Sequence, residues 1–311
     1  MNKFKGFLFG MTASSTFGLL PLFTLPIMSE GLTTNSILCY RMLFASALVA
    51  VLMQVRKIAF RTNLRELRWF AFLGFFYYGS ASLLFQAYGT MSSGMATTLH
   101  FLYPVGVTLI MALVFKQRPS PFTILAIILG LSGVALLSLR ESGGSSSASL
   151  VGILLVLLSG LSYAAYLVTM NNVRRVRESN NLKLTLYVLI FSALFFLLDT
   201  SLSGGLQIIP SGRALTNLLL LAFLPTLVSN LALVRAVKSI GSTLTSVLGA
   251  MEPLTAIVIG VVVFGEEVTG PMALGILLIL LSVTIIVLSP LLDKNIADRL
   301  RRLSKRPIRR Q

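Results

Sequence analysis

Residues 241–267 read GSTLTSVLGAMEPLTAIVIGVVVFGEE, an apolar run long enough to cross a bilayer. A carboxylate and a helix breaker, Glu252 and Pro253, lie at its centre. A charged side chain at membrane depth is costly, so Glu252 is a candidate functional residue. Pro253 has no N–H, and we expect the carbonyl of Gly249 to lose its helical partner. An unpaired backbone carbonyl at membrane depth is tolerated only inside protein or beside water. The stretch therefore predicts a broken helix next to a cavity.

An earlier stretch has the same layout. Residues 94–117 read GMATTLHFLYPVGVTLIMALVFKQ, and Tyr103-Pro104 match Glu252-Pro253 when the two stretches are aligned. The match continues into the apolar run that follows each stretch. Two such halves are typical of secondary transporters, whose substrate sites lie where the repeats meet.

The composition indicates a polytopic membrane protein. The chain of 311 residues is 55% hydrophobic and 12% charged, with a mean hydropathy of +0.87. Its net charge of +16 could suggest a nucleic-acid partner, but the charges lie in short loops and in the tail, so none is predicted. One cysteine, Cys39, excludes an internal disulfide, and one histidine, His100, excludes a multi-histidine metal site. The sequence has no metal-ligand cluster and no Gly-rich phosphate-binding loop, so no metal or cofactor is predicted.

The apolar runs predict ten transmembrane helices. They span about residues 5–28, 34–55, 68–90, 94–116, 121–139, 150–171, 183–203, 214–236, 241–264 and 270–292. With the N-terminus in the cytoplasm, 23 of the 26 Lys and Arg residues fall in inside segments. Only Arg140 and Arg213 fall outside, and Arg41 lies within the second span. This positive-inside pattern predicts an all-α membrane protein with both termini cytoplasmic.

The ten spans divide into two halves of five. The predicted units are a first repeat over residues 1–141, a Gly/Ser linker over 142–149, a second repeat over 150–292 and a basic cytoplasmic tail over 293–311. Weaker matches place Phe17 opposite Tyr163 and Tyr40 opposite Tyr187. Because five is an odd number, the second repeat is expected to be inverted across the membrane relative to the first.

Two stretches carry a resemblance to a known family. Residues 86–115, QAYGTMSSGMATTLHFLYPVGVTLIMALVF, and residues 233–269, LVRAVKSIGSTLTSVLGAMEPLTAIVIGVVVFGEEVT, resemble the ten-helix EamA-like branch of the drug/metabolite transporter superfamily. The resemblance implies two inverted five-helix repeats around a central cavity, usually serving export of small metabolites. The motif positions that match are Tyr103, Pro104, Glu252 and Pro253. One departure is Gln117, which stands where the second half has Glu266.

Three ionisable residues are the main site candidates. Arg41 offers a planar fork of donors to a substrate anion, or else pairs with Glu252 or reaches toward the outer surface. Glu252 would bind a substrate amine or carry a proton, or else accept backbone hydrogen bonds near the proline. Burial penalises its charged form, whereas a close Arg41 would stabilise it. His100 lies one turn before Pro104, and its carbonyl is the one that Pro104 frees. The alternative for this single histidine is a hydrogen-bonded residue of the protein core.

The remaining candidates are polar or helix-breaking residues within spans. Tyr103, Tyr163, Tyr166, Gln86 and Asn230 are predicted to line the cavity, or else to form interhelical hydrogen bonds. Pro104 and Pro253 are predicted helix breaks. Tyr77, by contrast, is assigned to packing or to the membrane interface.

The predicted function is secondary transport. We expect an exporter of a small polar or amphipathic metabolite such as an amino acid, working by alternating access around a central cavity, with protons as the candidate coupling ion. The alternatives are a passive channel, a membrane scaffold and an intramembrane enzyme that would use His100 and Glu252 as acid and base. The expected partners are a small-molecule substrate and membrane lipid, and the expected location is a bacterial inner membrane.

Overall fold

The computed structural model describes residues 3–88, 90, 96, 99–138, 150–264 and 270–304, and these ranges fold into helices and connecting turns. The helices are α1 (Lys3–Phe17), α2 (Leu20–Ser29), α3 (Thr34–Val55), α4 (Leu64–Tyr88), α5 (Tyr103–Leu113), α6 (Pro121–Ser138), α7 (Leu150–Asn172), α8 (Arg174–Glu178), α9 (Asn181–Leu202), α10 (Gly212–Leu221), a π-helix (Ala222–Val228), α11 (Ser229–Leu248), α12 (Met251–Phe264) and α13 (Gly270–Ser304). The predicted linker at 142–149, Glu266 and the last seven residues lie outside the described ranges.

Six helical segments in the described ranges are long and apolar enough to cross a membrane. They are Lys3–Ser29, Thr34–Val55, Leu64–Ala87, Leu150–Asn172, Asn181–Leu202 and Gly212–Leu248. Three shorter apolar segments, Tyr103–Leu113, Pro121–Leu136 and Ala273–Ser289, fall within predicted spans four, five and ten. Many of their large apolar side chains face outward, as a lipid environment requires. The class of membrane protein therefore agrees with the sequence, and the count of ten spans stays a prediction.

One helix differs from its predicted bounds, and one predicted boundary is marked by a kink. The kink is at Gly241, where predicted span nine begins, and its φ of 86° and ψ of 167° are not helical. Glycine tolerates this conformation because it has no Cβ. In addition, α13 continues to Ser304, beyond the predicted end at residue 292. Residues 291–304 contain no Gly or Pro, so nothing in the local sequence stops the helix there.

Helix α1 packs closely against α11 and α12 through glycines spaced four or eight residues apart. A Cβ added at Gly6 would come within 2.6 Å of Ile240, and one added at Gly18 would overlap the backbone carbonyl of Glu252. Small residues at this spacing allow helix backbones to approach closely in membranes. This contact fixes the end of α1 beside Glu252.

Candidate functional site

A small chamber lies among the helices at the level of Glu252. Its volume is about 20 Å³, which holds about one water molecule. The residues that line it are Ala13, Ser14, Phe17, Tyr103, Tyr163, Leu167, Ser229, Leu233, Thr245 and Glu252. Within the described part of the chain, the Glu252 carboxylate forms no ion pair and no side-chain hydrogen bond. A free carboxylate at the wall of a protein interior is a group that a ligand or a proton can use.

Glu252 is positioned by a break between two helices. Helix α11 ends at Leu248, Gly249 and Ala250 form a turn, and α12 begins at Met251. The Glu252 N–H donates to the carbonyl of Gly249 over 2.9 Å. The expectation that Pro253 leaves this carbonyl without a partner is therefore wrong, because the tight turn supplies the donor one residue earlier.

The first half has a break at the matching place. Leu102 N–H donates to the Leu99 carbonyl over 3.1 Å, and α5 then begins at Tyr103. Pro104 stands in the first turn of α5, where a missing N–H costs nothing to the helix. Both prolines thus lie just inside the start of a helix that follows a turn.

The two breaks touch each other. A Cβ added at Gly249 would overlap the hydroxyl of Tyr103 and would lie 2.9 Å from its Cζ atom. Only glycine at this position leaves room for the ring. Tyr103 and Glu252, which are matched in the sequence, consequently both line the chamber.

Arg41 is buried next to the chamber but does not line it. Its side chain is 3% exposed, its Nε donates to Thr226 Oγ1 over 2.7 Å, and its Nη2 donates to Tyr77 Oη over 3.4 Å. The guanidinium carbon lies 5.2 Å from the ring centroid of Phe17, which faces the chamber. Among the described residues, no carboxylate oxygen lies within 4.0 Å of the guanidinium nitrogens. The ion pair with Glu252, which the sequence left open as an alternative, is thus not formed in this conformation.

A polar and aromatic group connects Arg41 to the chamber wall. Asn230 is buried, and its Nδ2 donates to Tyr77 Oη over 3.2 Å and to the Thr226 carbonyl over 2.8 Å. The Tyr77 ring lies 5.4 Å from that of Tyr166, which stacks on Tyr163 at 5.9 Å. Tyr166 and Asn230 therefore support the wall, and Tyr163 forms part of it.

His100 lies at the other side of Tyr103 and Tyr163. Its ring centroid is 5.7 Å from that of Tyr103 and 6.1 Å from that of Tyr163. His100 Nδ1 is 3.0 Å from Ser159 Oγ, and the Ser159 hydroxyl donates to the Ser80 carbonyl over 2.5 Å. Because the Ser159 hydroxyl proton is already donated to the Ser80 carbonyl, the Nδ1–H of His100 must donate to Ser159 Oγ. Ser159 is fully buried and holds a structural role, so this pair has no free nucleophile.

One predicted residue lies apart and three were missed. Gln86 is exposed, and its amide donates to Ser82 Oγ over 3.1 Å, within α4. Tyr77, Thr226 and Phe17 surround Arg41 but were not among the sequence candidates. Thr226 could have been singled out from the sequence because it follows Pro225, a helix-breaking residue that lies within the π-helix. Single π-helical turns are frequent at functional sites.

Comparisons with known proteins agree with this arrangement. The sequence model of the EamA-like transporter family matches residues 4–139 and again residues 150–288. A protein of Synechocystis sp. named as an uncharacterized transporter is 26% identical over 229 residues, which cover 71% of this chain and 68% of that protein. A protein crystal structure matches with a TM-score of 0.79 at 20% identity, over 94% of this chain and 98% of the other. At that identity the structural match shows the fold alone.

Proposed function

The chain belongs to the EamA-like transporter family, and from this premise we propose that it exports a small polar or amphipathic metabolite, such as an amino acid, by alternating access. The family and the apolar helices make it a multi-pass integral membrane transporter. The family and the relative's name point to transport rather than to catalysis. The bacterial relative favours a bacterial inner membrane.

Alternating access requires two halves that can exchange roles, and paired hydrogen bonds support such halves. Tyr40 Oη in α3 donates to the Gln207 carbonyl, after α9, over 2.7 Å. Tyr187 Oη in α9 donates to the Phe60 carbonyl, after α3, over 2.7 Å. Phe60 follows Tyr40 in the first half by the same number of residues as Gln207 follows Tyr187 in the second half, so the two positions are equivalent. Exchanging the halves therefore converts one bond into the other.

A second pair of bonds joins matched positions, with the donor and the acceptor exchanged between the two halves. Ser229 Oγ donates to the Ala13 carbonyl over 2.8 Å and joins α11 to α1. Ser159 Oγ donates to the Ser80 carbonyl over 2.5 Å and joins α7 to α4. Ser80 matches Ser229 in the alignment that places Pro104 opposite Pro253. Ala13 matches Ser159 in the alignment that places Phe17 opposite Tyr163. Together with the two matches of the family model, these bonds support the inverted repeat.

The observation that carries the proposed site is the free carboxylate of Glu252 at the meeting point of two helix breaks. Substrate sites of inverted-repeat transporters lie at discontinuous helices near the repeat interface. A chamber of about 20 Å³ is too small for a metabolite, so we propose that this conformation is closed around the site. Opening would separate Tyr103 from Gly249 and enlarge the chamber.

We propose that Glu252 receives a substrate amine or a proton and that Arg41 receives a substrate anion. The guanidinium still has unused donors after its bonds to Thr226 and Tyr77. Phe17 separates it from the chamber, so a substrate carboxylate would reach it only after that ring moves. Aromatic rings of Tyr103 and Tyr163 suit the apolar part of an amphipathic substrate.

Counterflow in liposomes tests this proposal. Purified protein is screened with radiolabelled amino acids and nucleosides, with and without unlabelled solute inside the vesicles. A carrier shows saturable uptake that internal solute accelerates. A channel shows flux that does not saturate and is not accelerated by internal solute. We expect Tyr163→Ala to raise the KM and Gln86→Ala to leave it unchanged, because only Tyr163 lines the chamber. Linear flux without counterflow would contradict the carrier mechanism.

A further inference from the structure

A second, larger cavity opens at the end of the molecule where α1 begins and α7 ends. We call it the vestibule, and its volume is about 440 Å³, within the range of small-molecule sites. Its wall includes Lys3, Arg118, Gln117, Asn171, Ser242 and Thr243. Leu244 of α11 lines the vestibule and Thr245 lines the chamber, so the two cavities adjoin the same helix.

The charged groups of the vestibule are all basic. Lys3 and Arg118 line it, and its described lining includes no Asp or Glu. Ser120 and Thr123 add hydroxyls from the start of α6, and Gln117 is uncharged where the matching position of the second half is Glu266. Clefts lined by one sign of charge raise the local concentration of the opposite ion.

One group in the vestibule lacks a partner. Ser242 has an exposed fraction of 0%, and its Oγ has no hydrogen-bond partner in the described structure. It follows the kink at Gly241, so the backbone turn holds it at the wall of the vestibule. Buried hydroxyls are nearly always hydrogen-bonded, so the unpaired Ser242 hydroxyl is unusual. Because it is enclosed in this conformation, we expect it to reach an anionic oxygen only when its side chain turns toward the vestibule.

We propose that the vestibule binds the carboxylate or phosphate of the transported solute before the solute reaches the chamber. This inference rests on the proposed function and names the substrate class as solutes with an anionic group. Basic residues at this end also serve the positive-inside topology. Topology alone, however, accounts neither for the unpartnered Ser242 nor for the absence of acidic residues from the described wall.

The first test measures the charge preference of the vestibule. Thr243→Cys, which lines the vestibule beside Ser242 and is partly exposed, is made in a Cys39→Ala background of the full chain in phosphatidylcholine nanodiscs. The thiol is modified with two methanethiosulfonates, the anionic sulfonatoethyl reagent and the cationic trimethylammonioethyl reagent. The rate of modification by each reagent is divided by the rate at which the same reagent reacts with 2-mercaptoethanol in solution. We expect the anionic reagent to be favoured, and Arg118→Gln to reduce the preference by roughly threefold or more. Arg177→Gln, which removes an exposed charge outside the vestibule, should not.

The second test measures binding. Modification by uncharged methyl methanethiosulfonate is followed with inorganic phosphate or succinate added at constant ionic strength. We expect saturable protection that Arg118→Gln weakens at least several-fold and that chloride does not reproduce. Protection that requires phosphatidylglycerol in the nanodisc would assign the site to a lipid headgroup and overturn the proposal, as would no protection at all. Because no transport is measured, a failure here leaves the chamber and Glu252 untouched, and a failure of counterflow leaves the binding result intact.

Discussion

Arg41 holds a buried positive charge, and among the described residues no carboxylate oxygen lies within 4.0 Å of it. Thr226 Oγ1 at 2.7 Å, Tyr77 Oη at 3.4 Å and the Phe17 ring offset part of the cost of burying this charge. Neutral partners leave the guanidinium able to accept an anion, which a resident carboxylate would prevent. Its geometry therefore fits the binding of a substrate anion better than a structural ion pair.

Replacement of Arg41 by lysine tests this role. Arg41→Lys keeps the charge but loses the planar fork, because an ammonium cannot donate to Thr226 and to an anion in the same plane. We expect a loss of transport of roughly tenfold or more, with normal amounts of folded protein in the membrane. Arg177→Lys, at an exposed position, is the matched control. Normal transport by Arg41→Ala would exclude the role.

At the scale of the helices, the contact between the two breaks is the central feature. Tyr103 begins α5, and its hydroxyl occupies the space that a side chain at Gly249 would need. Gly249→Ala should therefore push α5 away from the turn before α12. Overpacking of this kind destabilises a protein by about 1–3 kcal/mol.

We expect Gly249→Ala to lower the midpoint of thermal unfolding and the transport rate together. Gly212→Ala is the control, because a Cβ there meets no atom within 4 Å. Gly249→Ala combined with Tyr103→Phe should recover part of the stability, since the hydroxyl is the nearest atom. The measurement is a thermal melt in detergent beside counterflow. Unchanged melting of Gly249→Ala would show that the two breaks separate freely.

The helix breaks could be predicted from sequence, but the surroundings of Arg41 could not. Pro104 and Pro253 act locally, because a missing N–H limits the position of proline in any helix. Thr226 and Tyr77 meet Arg41 only through the packing of three separate helices, and a single sequence does not give that packing. Gln86 shows the converse, since its polar character marked it as a candidate although it is exposed on α4.

For the whole molecule, the charge pattern fixes an expected topology. Twenty-three of 26 Lys and Arg residues lie in segments assigned to the cytoplasm. In a Cys39→Ala background, Ser203→Cys at the end of α9 should react with an impermeant maleimide in intact cells. Ser179→Cys and Ser304→Cys should react only after permeabilisation. Labelling of Ser304→Cys from outside would contradict the ten-span arrangement with both termini inside.

The proposed mechanism brings the halves and the chamber together. Each half supplies one broken helix, and Tyr103 and Glu252 at the breaks line the same chamber. If the halves rock against each other, the chamber opens toward one side at a time. A solute would then enter by way of the vestibule, and Glu252 would exchange its proton or its amine partner when the chamber faces water.

The central proposal is that Glu252 carries the coupling proton, and Glu252→Gln distinguishes this role most directly from the binding of a substrate amine. The amide resembles the protonated carboxyl in size and hydrogen bonding but can neither gain nor lose a proton. The mutant should therefore still bind substrate and exchange it for substrate. Glu178→Gln is the matched control, because Glu178 is exposed and pairs with Arg174 outside the chamber.

The measurement is uptake of the counterflow substrate into liposomes with and without an imposed pH gradient. Wild type and Glu178→Gln should accumulate substrate when the gradient is present, with a rate that depends on pH. Glu252→Gln should keep exchange and lose both the accumulation and the pH dependence. Gradient-driven accumulation by Glu252→Gln with an unchanged pH profile would contradict the account, because the proton would then travel through another group.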